Sequence, residues 1–111
     1  MRSVVVGALA LVATLAIAQP ATANDRTLQR YAEGTWRSFV AMTDDRTGFP
    51  ADALQRDGTR SVQTSTTNIG AYMWSAVVAE RLGIIGRAEL SARMRRTVAT
   101  LETLERHEPS G

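Results

Sequence analysis

Five consecutive small hydrogen-bonding side chains, Thr64-Ser65-Thr66-Thr67-Asn68, stand immediately ahead of an apolar stretch. Two kinds of chemistry suit such a run. Hydroxyls and an amide can cap a helix, satisfying its first free N–H groups. The same groups can form the polar rim of a pocket, where a helix start and side-chain hydroxyls meet the hydroxyls of a sugar. One cap needs fewer residues than five, so both readings stand at this level.

The acids Asp44, Asp45, Asp52 and Asp57 cluster in a segment rich in turn formers. Two carboxylates about 5–9.5 Å apart can work as the acid and base of glycoside hydrolysis. Spacing along a loop does not establish such a pair, and turn-forming Asp is the simpler reading. The alternating oxygen ligands and terminal Glu of a calcium loop are missing. His107 is the sole histidine and falls at a helix C-terminus, where a charged imidazole suits the helix dipole. No nucleophile motif supports a Ser-His-Asp group. Trp36, Tyr72 and Trp74 could stack on sugar rings, but core packing is the simpler role for most of them. Arg93, Arg95 and Arg96 read as a solvated face. These residues call for no metal and no cofactor.

Composition bounds the class. At 44% hydrophobic and 22% charged, the chain is globular rather than disordered. It has no cysteine, which excludes disulfide scaffolds, thiolate metal sites and a cysteine nucleophile. Thirteen basic residues, all arginine, against 11 acids give a net charge of +2. That balance gives nucleic-acid binding no bulk electrostatic support.

The N-terminus reads as an export signal over residues 1–23. Arg2 supplies the positive start, Val4 to Ala18 is free of charge, and Ala21-Thr22-Ala23 is a small-x-small cleavage pattern. The apolar run is shorter than the about 20 residues that cross a bilayer as a helix. Cleavage would release a secreted or periplasmic chain beginning at Asn24, with no stable membrane span.

Three helices are predicted, giving an all-α fold. The first spans about 25–42, capped by Asn24 or Asp25, with Leu28, Ala32, Thr35 or Trp36, Phe39 and Met42 on its apolar stripe. A loop of about 20 residues follows, of the length usually seen in functional segments; within it, Phe49-Pro50 suggests an ordered path over some other element. The second helix spans about 67–82. From Ile69 to Ala79 it carries no charge, and a helix apolar all round needs neighbours on every side. Gly83 ends it, and a short apolar connection makes an antiparallel hairpin with a third helix at about 87–106. Leu90, Met94, Val98 or Thr97, Leu101 and Leu104 mark its stripe. Glu89–Arg93 and Glu102–Arg106 have ion-pair spacing.

Three segments also resemble a known family. Asp44 to Asp52 (DDRTGFPAD) is similar to its D-x-x-TGLPAD loop. Thr64 to Tyr72 (TSTTNIGAY) is similar to its TSPTNIGAYL signature. Thr100 to Gly111 (TLETLERHEPSG) is similar to its TLxTLexLeRHepSG stretch. The family is the bacterial glucoamylase-like group, which includes endo-β-1,2-glucanases and a domain of cyclic β-1,2-glucan synthase. Thr66 stands for its usual Pro and Phe49 for its usual Leu.

The resemblance implies that the three helices are part of an (α/α)6 toroid, with residues 24–111 as the opening portion of the domain. Twelve such helices need roughly 200 residues at about 12 per helix and about 5 per connection. It implies a parent activity on β-glucan, with β-1,2-glucan favoured and the catalytic acids beyond residue 111, where the family continues with an aromatic FYNWYD stretch. The chain by itself is then expected to be inactive. Asp44, Asp52, Thr64, Ser65, Thr67, Asn68 and Tyr72 are the matching positions that would bind substrate. The alternative is a non-enzymatic secreted helical module that binds a carbohydrate or envelope partner. In either case self-association could cover the bare second helix.

Overall fold

The computed structural model describes Pro20 and residues 22–106. Most of the leader read over residues 1–23 lies outside them, as do His107 and the end of the third motif. Among the described residues there are three α-helices and no strand: α1 Ala23–Met42, α2 Thr66–Arg81 and α3 Arg87–Glu102. No helix among them is long and apolar enough to cross a membrane.

The first helix begins two residues earlier than its periodicity predicts, because its cap is Thr22 rather than Asn24 or Asp25. Thr22 Oγ1 accepts from the Asp25 amide at 3.1 Å, and the Asp25 carboxylate accepts from the Thr22 amide at 2.9 Å. This reciprocal pair is a capping box and satisfies two otherwise free donors. The second helix starts at Ser65, whose Oγ accepts from the Asn68 amide at 3.1 Å. It ends in a Schellman motif. Gly83 adopts φ +71°, its amide donates to the Glu80 carbonyl (3.0 Å), and the Ile84 amide donates to the Ala79 carbonyl (2.8 Å).

The third helix stops at Glu102, four residues short of expectation. The Thr103 and Leu104 amides turn back to Thr100 and Leu101, and Leu104 is 53% exposed. Helical turns owe most of their stability to a packed face, and this last turn meets no apolar surface among the described residues. Arg106 therefore lies outside the helical turn that an ion pair with Glu102 requires. Glu89 and Arg93 do pair, at 2.7 Å.

The second helix packs against both others. Ala76 and Ala79 are buried where their small side chains let the helices approach, together with Trp36, Tyr72 and Ile85. Phe39, Leu90 and Met94 pack around this cluster. Tyr72 is stacked on Trp36, with centroids 6.1 Å apart and planes 8° from parallel, and Phe39 tilts against it at 6.4 Å. Offset aromatic pairs of this kind add about 0.5–1.5 kcal/mol beyond the area they bury.

One face of α2 is uncovered. Trp74 is 71% exposed, and Val78 and Leu82 are exposed beside it. An apolar groove of about 310 Å³ runs between α1 and α2, lined by Trp36, Phe39, Trp74, Val78, Leu82 and Ile84. The need for neighbours on every side, read from the charge-free stretch, is met toward α1 and α3 and not around Trp74 among the described residues.

Candidate functional site

The loop between α1 and α2 has few regular elements yet is heavily braced. Two isolated antiparallel bridges close it, Thr43 with Pro50 and Leu54 with Arg60. Asp44 begins the first turn. Its Oδ1 accepts from the Arg46 and Thr47 amides, both at 2.9 Å, and its own amide donates to the Phe49 carbonyl at 3.0 Å. The Thr47 amide, more than any other group, holds the Asp44 carboxyl below the usual carboxylate range, since hydrogen bonds to the charged form favour it. Asp57 has the same arrangement with the Thr59 amide at 2.9 Å and is lowered for the same reason. Both acids are turn formers, as the simpler sequence reading expects.

The expected ordered path over another element is found. Thr97 and Thr100 of α3 donate their hydroxyls to the loop, Thr97 Oγ1 to the Gly48 carbonyl at 2.9 Å and Thr100 Oγ1 to the Thr47 carbonyl at 2.6 Å. Arg60 reaches back to α1, its Nε donating to the Ala41 carbonyl at 2.6 Å. Ala51 and Thr43 are buried beneath. A concave site of about 330 Å³ opens on the loop, lined by Asp44, Arg46, Thr47, Phe49, Arg60, Ser61, Gln63 and Thr64, among others.

Of the seven candidate binding residues, Asp44 and Thr64 line that concavity from the two ends of the loop, Asp52, Ser65, Thr67 and Asn68 gather at the start of α2, and Tyr72 lies in the core. Asp52 and Asn68 meet: the Asn68 side-chain amide donates to the Asp52 carboxylate, joining the second half of the loop to the first turn of α2. Ser65 caps α2, Thr67 is exposed beside it, and Thr64 turns its Oγ1 inward, shielded from solvent with no hydrogen-bond partner among the described residues. Asp44 sits at the opposite end of the loop. Tyr72 is 1% exposed, a core residue whose ring belongs to the Trp36 stack. The run 64–68 thus does capping work at Ser65 and leaves Thr67 and the Asp52–Asn68 pair at the surface.

Two placements on α3 depend on the packing of distant segments. Arg93 is not part of a solvated arginine face. Its Nη1 donates to the Tyr72 hydroxyl (3.3 Å), its Nε and Nη2 donate to Glu89 (2.8 and 2.7 Å), and its guanidinium lies over the Trp36 ring. Burial pulls its pKa down, but the hydrogen bonds to Tyr72 and Glu89 outweigh that and raise it. Of the stripe alternatives Val98 and Thr97, Thr97 is the buried one, and with Thr100 it marks the face of α3 that meets the loop.

Comparison with known proteins gives two findings. The family model for a protein of unknown function (DUF3131) matches residues 30–110. The cyclic beta-(1,2)-glucan synthase NdvB of Rhizobium meliloti (strain 1021) is 32% identical over 83 residues, which covers 72% of this chain and 3% of that protein. The chain therefore spans only a small part of its relative's length. No solved structure matches it.

Proposed function

The chain belongs to the DUF3131 family, and we propose that it serves β-glucan recognition as part of a glucoamylase-like (α/α)6 body, β-1,2-glucan being the favoured ligand. The observation that carries this reading is the hydrogen bond from Asn68 to Asp52. It ties the TGFPAD segment to the TSTTNIGAY segment, so the two stretches of the glucoamylase-like resemblance make one polar rim at the start of α2. A carboxylate beside hydroxyls and a helix N-terminus presents the mixture of acceptors and donors that sugar hydroxyls use. The relative named as a β-1,2-glucan synthase supports the choice of ligand.

Hydrolysis or transfer at a glucan linkage needs a carboxyl kept protonated as general acid, and enzymes raise its pKa for that purpose. Asp44 and Asp57 are shifted in the opposite direction by backbone amides. Their role is to shape the loop, and the glucoamylase-like resemblance puts the catalytic acids of the larger body beyond residue 111. The uncovered apolar side of α2 is where further helices of that body would pack, with α2 as an inner helix and α3 as an outer one. The leader over residues 1–23 would send the protein to the periplasm or outside the cell.

A titration of the full chain with linear β-1,2-glucan oligosaccharides tests this reading, with reducing-end release followed in parallel. Saturable binding without turnover, lost in Asn68→Ala, is the expected result. A folded wild-type chain that does not bind sinks the proposal, and turnover by this chain alone would reject the placement of the catalytic acids elsewhere.

The exposed Trp74 face favours a second reading. In it the chain is a non-enzymatic helical module that docks an envelope partner, or a second copy of itself, on the α1–α2 groove.

A further inference from the structure

We infer that Thr97 and Thr100 of α3 are positioning residues for the loop that carries Asp44 and Asp52. The two hydroxyls bridge sequence separations of 49 and 53 residues to adjacent carbonyls, those of Gly48 and Thr47. Each hydroxyl has one proton and two acceptors within reach. Thr97 Oγ1 lies 2.9 Å from the Gly48 carbonyl and 3.1 Å from that of Arg93; Thr100 Oγ1 lies 2.6 Å from the Thr47 carbonyl and 3.1 Å from that of Arg96. In both cases the loop is the nearer acceptor, so these threonines do more than bond back into their own helix.

The contact is close on the loop side as well. Gly48 adopts φ +71°, and a Cβ there would sit 2.9 Å from Thr97 Oγ1 and 3.0 Å from the Thr97 amide nitrogen. Thr97 is 0% exposed. The Gly48 amide shares its peptide with the held Thr47 carbonyl and donates to the Asp44 carbonyl at 2.8 Å, and the Thr47 amide, on the other side of that residue, donates to the Asp44 carboxylate, so the held residues shape the acid end of the loop. Ala51, one residue before Asp52, is in turn bonded to the Met42 carbonyl at 2.9 Å. Release of the two carbonyls from α3 therefore frees the turn that places Asp44 and slackens the segment leading to Asp52. A buried carbonyl left without its donor is also penalised in that geometry.

The structural part of this inference stands by itself, while its consequence for ligand rests on the glucan reading above. The test uses the full chain with Thr97→Val and Thr100→Val combined, compared with Thr97→Ser and Thr100→Ser combined. Valine keeps the shape and removes the donor; serine keeps the donor. Amide exchange of Gly48 and Ala51 is followed by NMR, with Ala76 in the α2 core as internal reference. The valine variant should exchange about tenfold faster or more at Gly48 and Ala51 with Ala76 unchanged, the worth of one or two hydrogen bonds. The serine variant should restore protection. Affinity for β-1,2-glucan oligosaccharides should fall by about tenfold in the valine variant and return with serine.

Unchanged exchange at Gly48 and Ala51, or acceleration spread equally to Ala76, overturns the positioning role. Faster loop exchange with unaltered glucan affinity overturns its link to the ligand. If wild type binds no glucan, the functional reading fails and that link with it, and the exchange result still decides the positioning role. Should the double valine variant not fold, Thr100→Val alone, at a partly exposed position, gives the same comparison.

Discussion

The guanidinium carbon of Arg93 lies 5.2 Å from the centre of the Trp36 ring. One arginine thereby joins all three helices: it belongs to α3, covers a tryptophan of α1 and donates to the hydroxyl of Tyr72 on α2. A guanidinium is suited to this because it is planar, weakly hydrated and able to stack while its edge donates. Arg93→Met keeps much of the apolar stem and loses the stack, the Tyr72 bond and the Glu89 pair. Chemical denaturation should show a loss of about 1–3 kcal/mol. Arg93→Lys should recover only part of it, because an ammonium cannot reproduce the fork to Glu89. Equal stability of the lysine variant and wild type would show that charge alone, not planar geometry, matters here.

Gly48 and Gly58 both have positive φ, +71° and +84°, yet they differ in surroundings. A Cβ at Gly58 meets nothing within 4 Å, whereas one at Gly48 collides with Thr97. Gly58→Ala should cost about 1 kcal/mol from backbone conformation alone. Gly48→Ala should cost more, about 2–4 kcal/mol, because steric displacement adds to the strained backbone. Thermal or urea melts of the two variants measure the difference.

Asp44 has its folded pKa depressed, first by the Thr47 amide. For a depressed acid the associated stability is fully present above the unfolded value, about 3.9 for Asp, and is lost as pH falls through the lower folded value. Stability arising from Asp44 should therefore be flat from neutral pH down to about 4 and decline below it. An NMR titration of the side-chain carboxyl carbon should give a midpoint under about 3.9. A midpoint at or above that value contradicts the turn geometry.

Asp25 is lowered in the same sense, by its bonds to Thr22. Cleavage after Ala23 would remove Thr22, so an exported chain starting at Asn24 should lose the capping box. N-terminal sequencing of the exported product checks the cleavage point. The expected accompaniment is fraying of the first turn of α1, seen as fast exchange there, with the Asp25 pKa returning toward its ordinary value.

Tyr72 and Trp74 are two residues apart on α2 and face opposite environments, 1% and 71% exposed. Tyr72→Ala should cost about 3–5 kcal/mol through an aromatic cavity. Trp74→Ser should change the stability of the isolated monomer by no more than about 0.5 kcal/mol. If the α1–α2 groove mediates self-association, Trp74→Ser should also shift the sedimentation profile toward monomer. A wild-type chain that is monomeric at every concentration tested argues against that use of the groove.

Local chemistry determined much of this protein in advance. The turn formers from Thr43 to Asp57 marked the loop, the hydroxyls at 64–68 marked the start of α2, and Gly83 marked its end. The charge-free stretch Ile69–Ala79 announced a helix that wants cover on every side. These signals are legible because capping, turn geometry and helical periodicity act within a few residues of the chain. Tertiary structure decided which partner each face meets. Val98 and Leu101 share the periodicity that Leu90 and Met94 obey, yet only the latter two pack on the core, while Thr97 is buried against a loop some fifty positions away. Arg93 shows the same limit: its neighbours in sequence are exposed arginines, and its burial comes from Trp36 and Tyr72 on two other helices. Periodicity selects a face of a helix, but what lies against that face is settled only when distant segments are brought into contact.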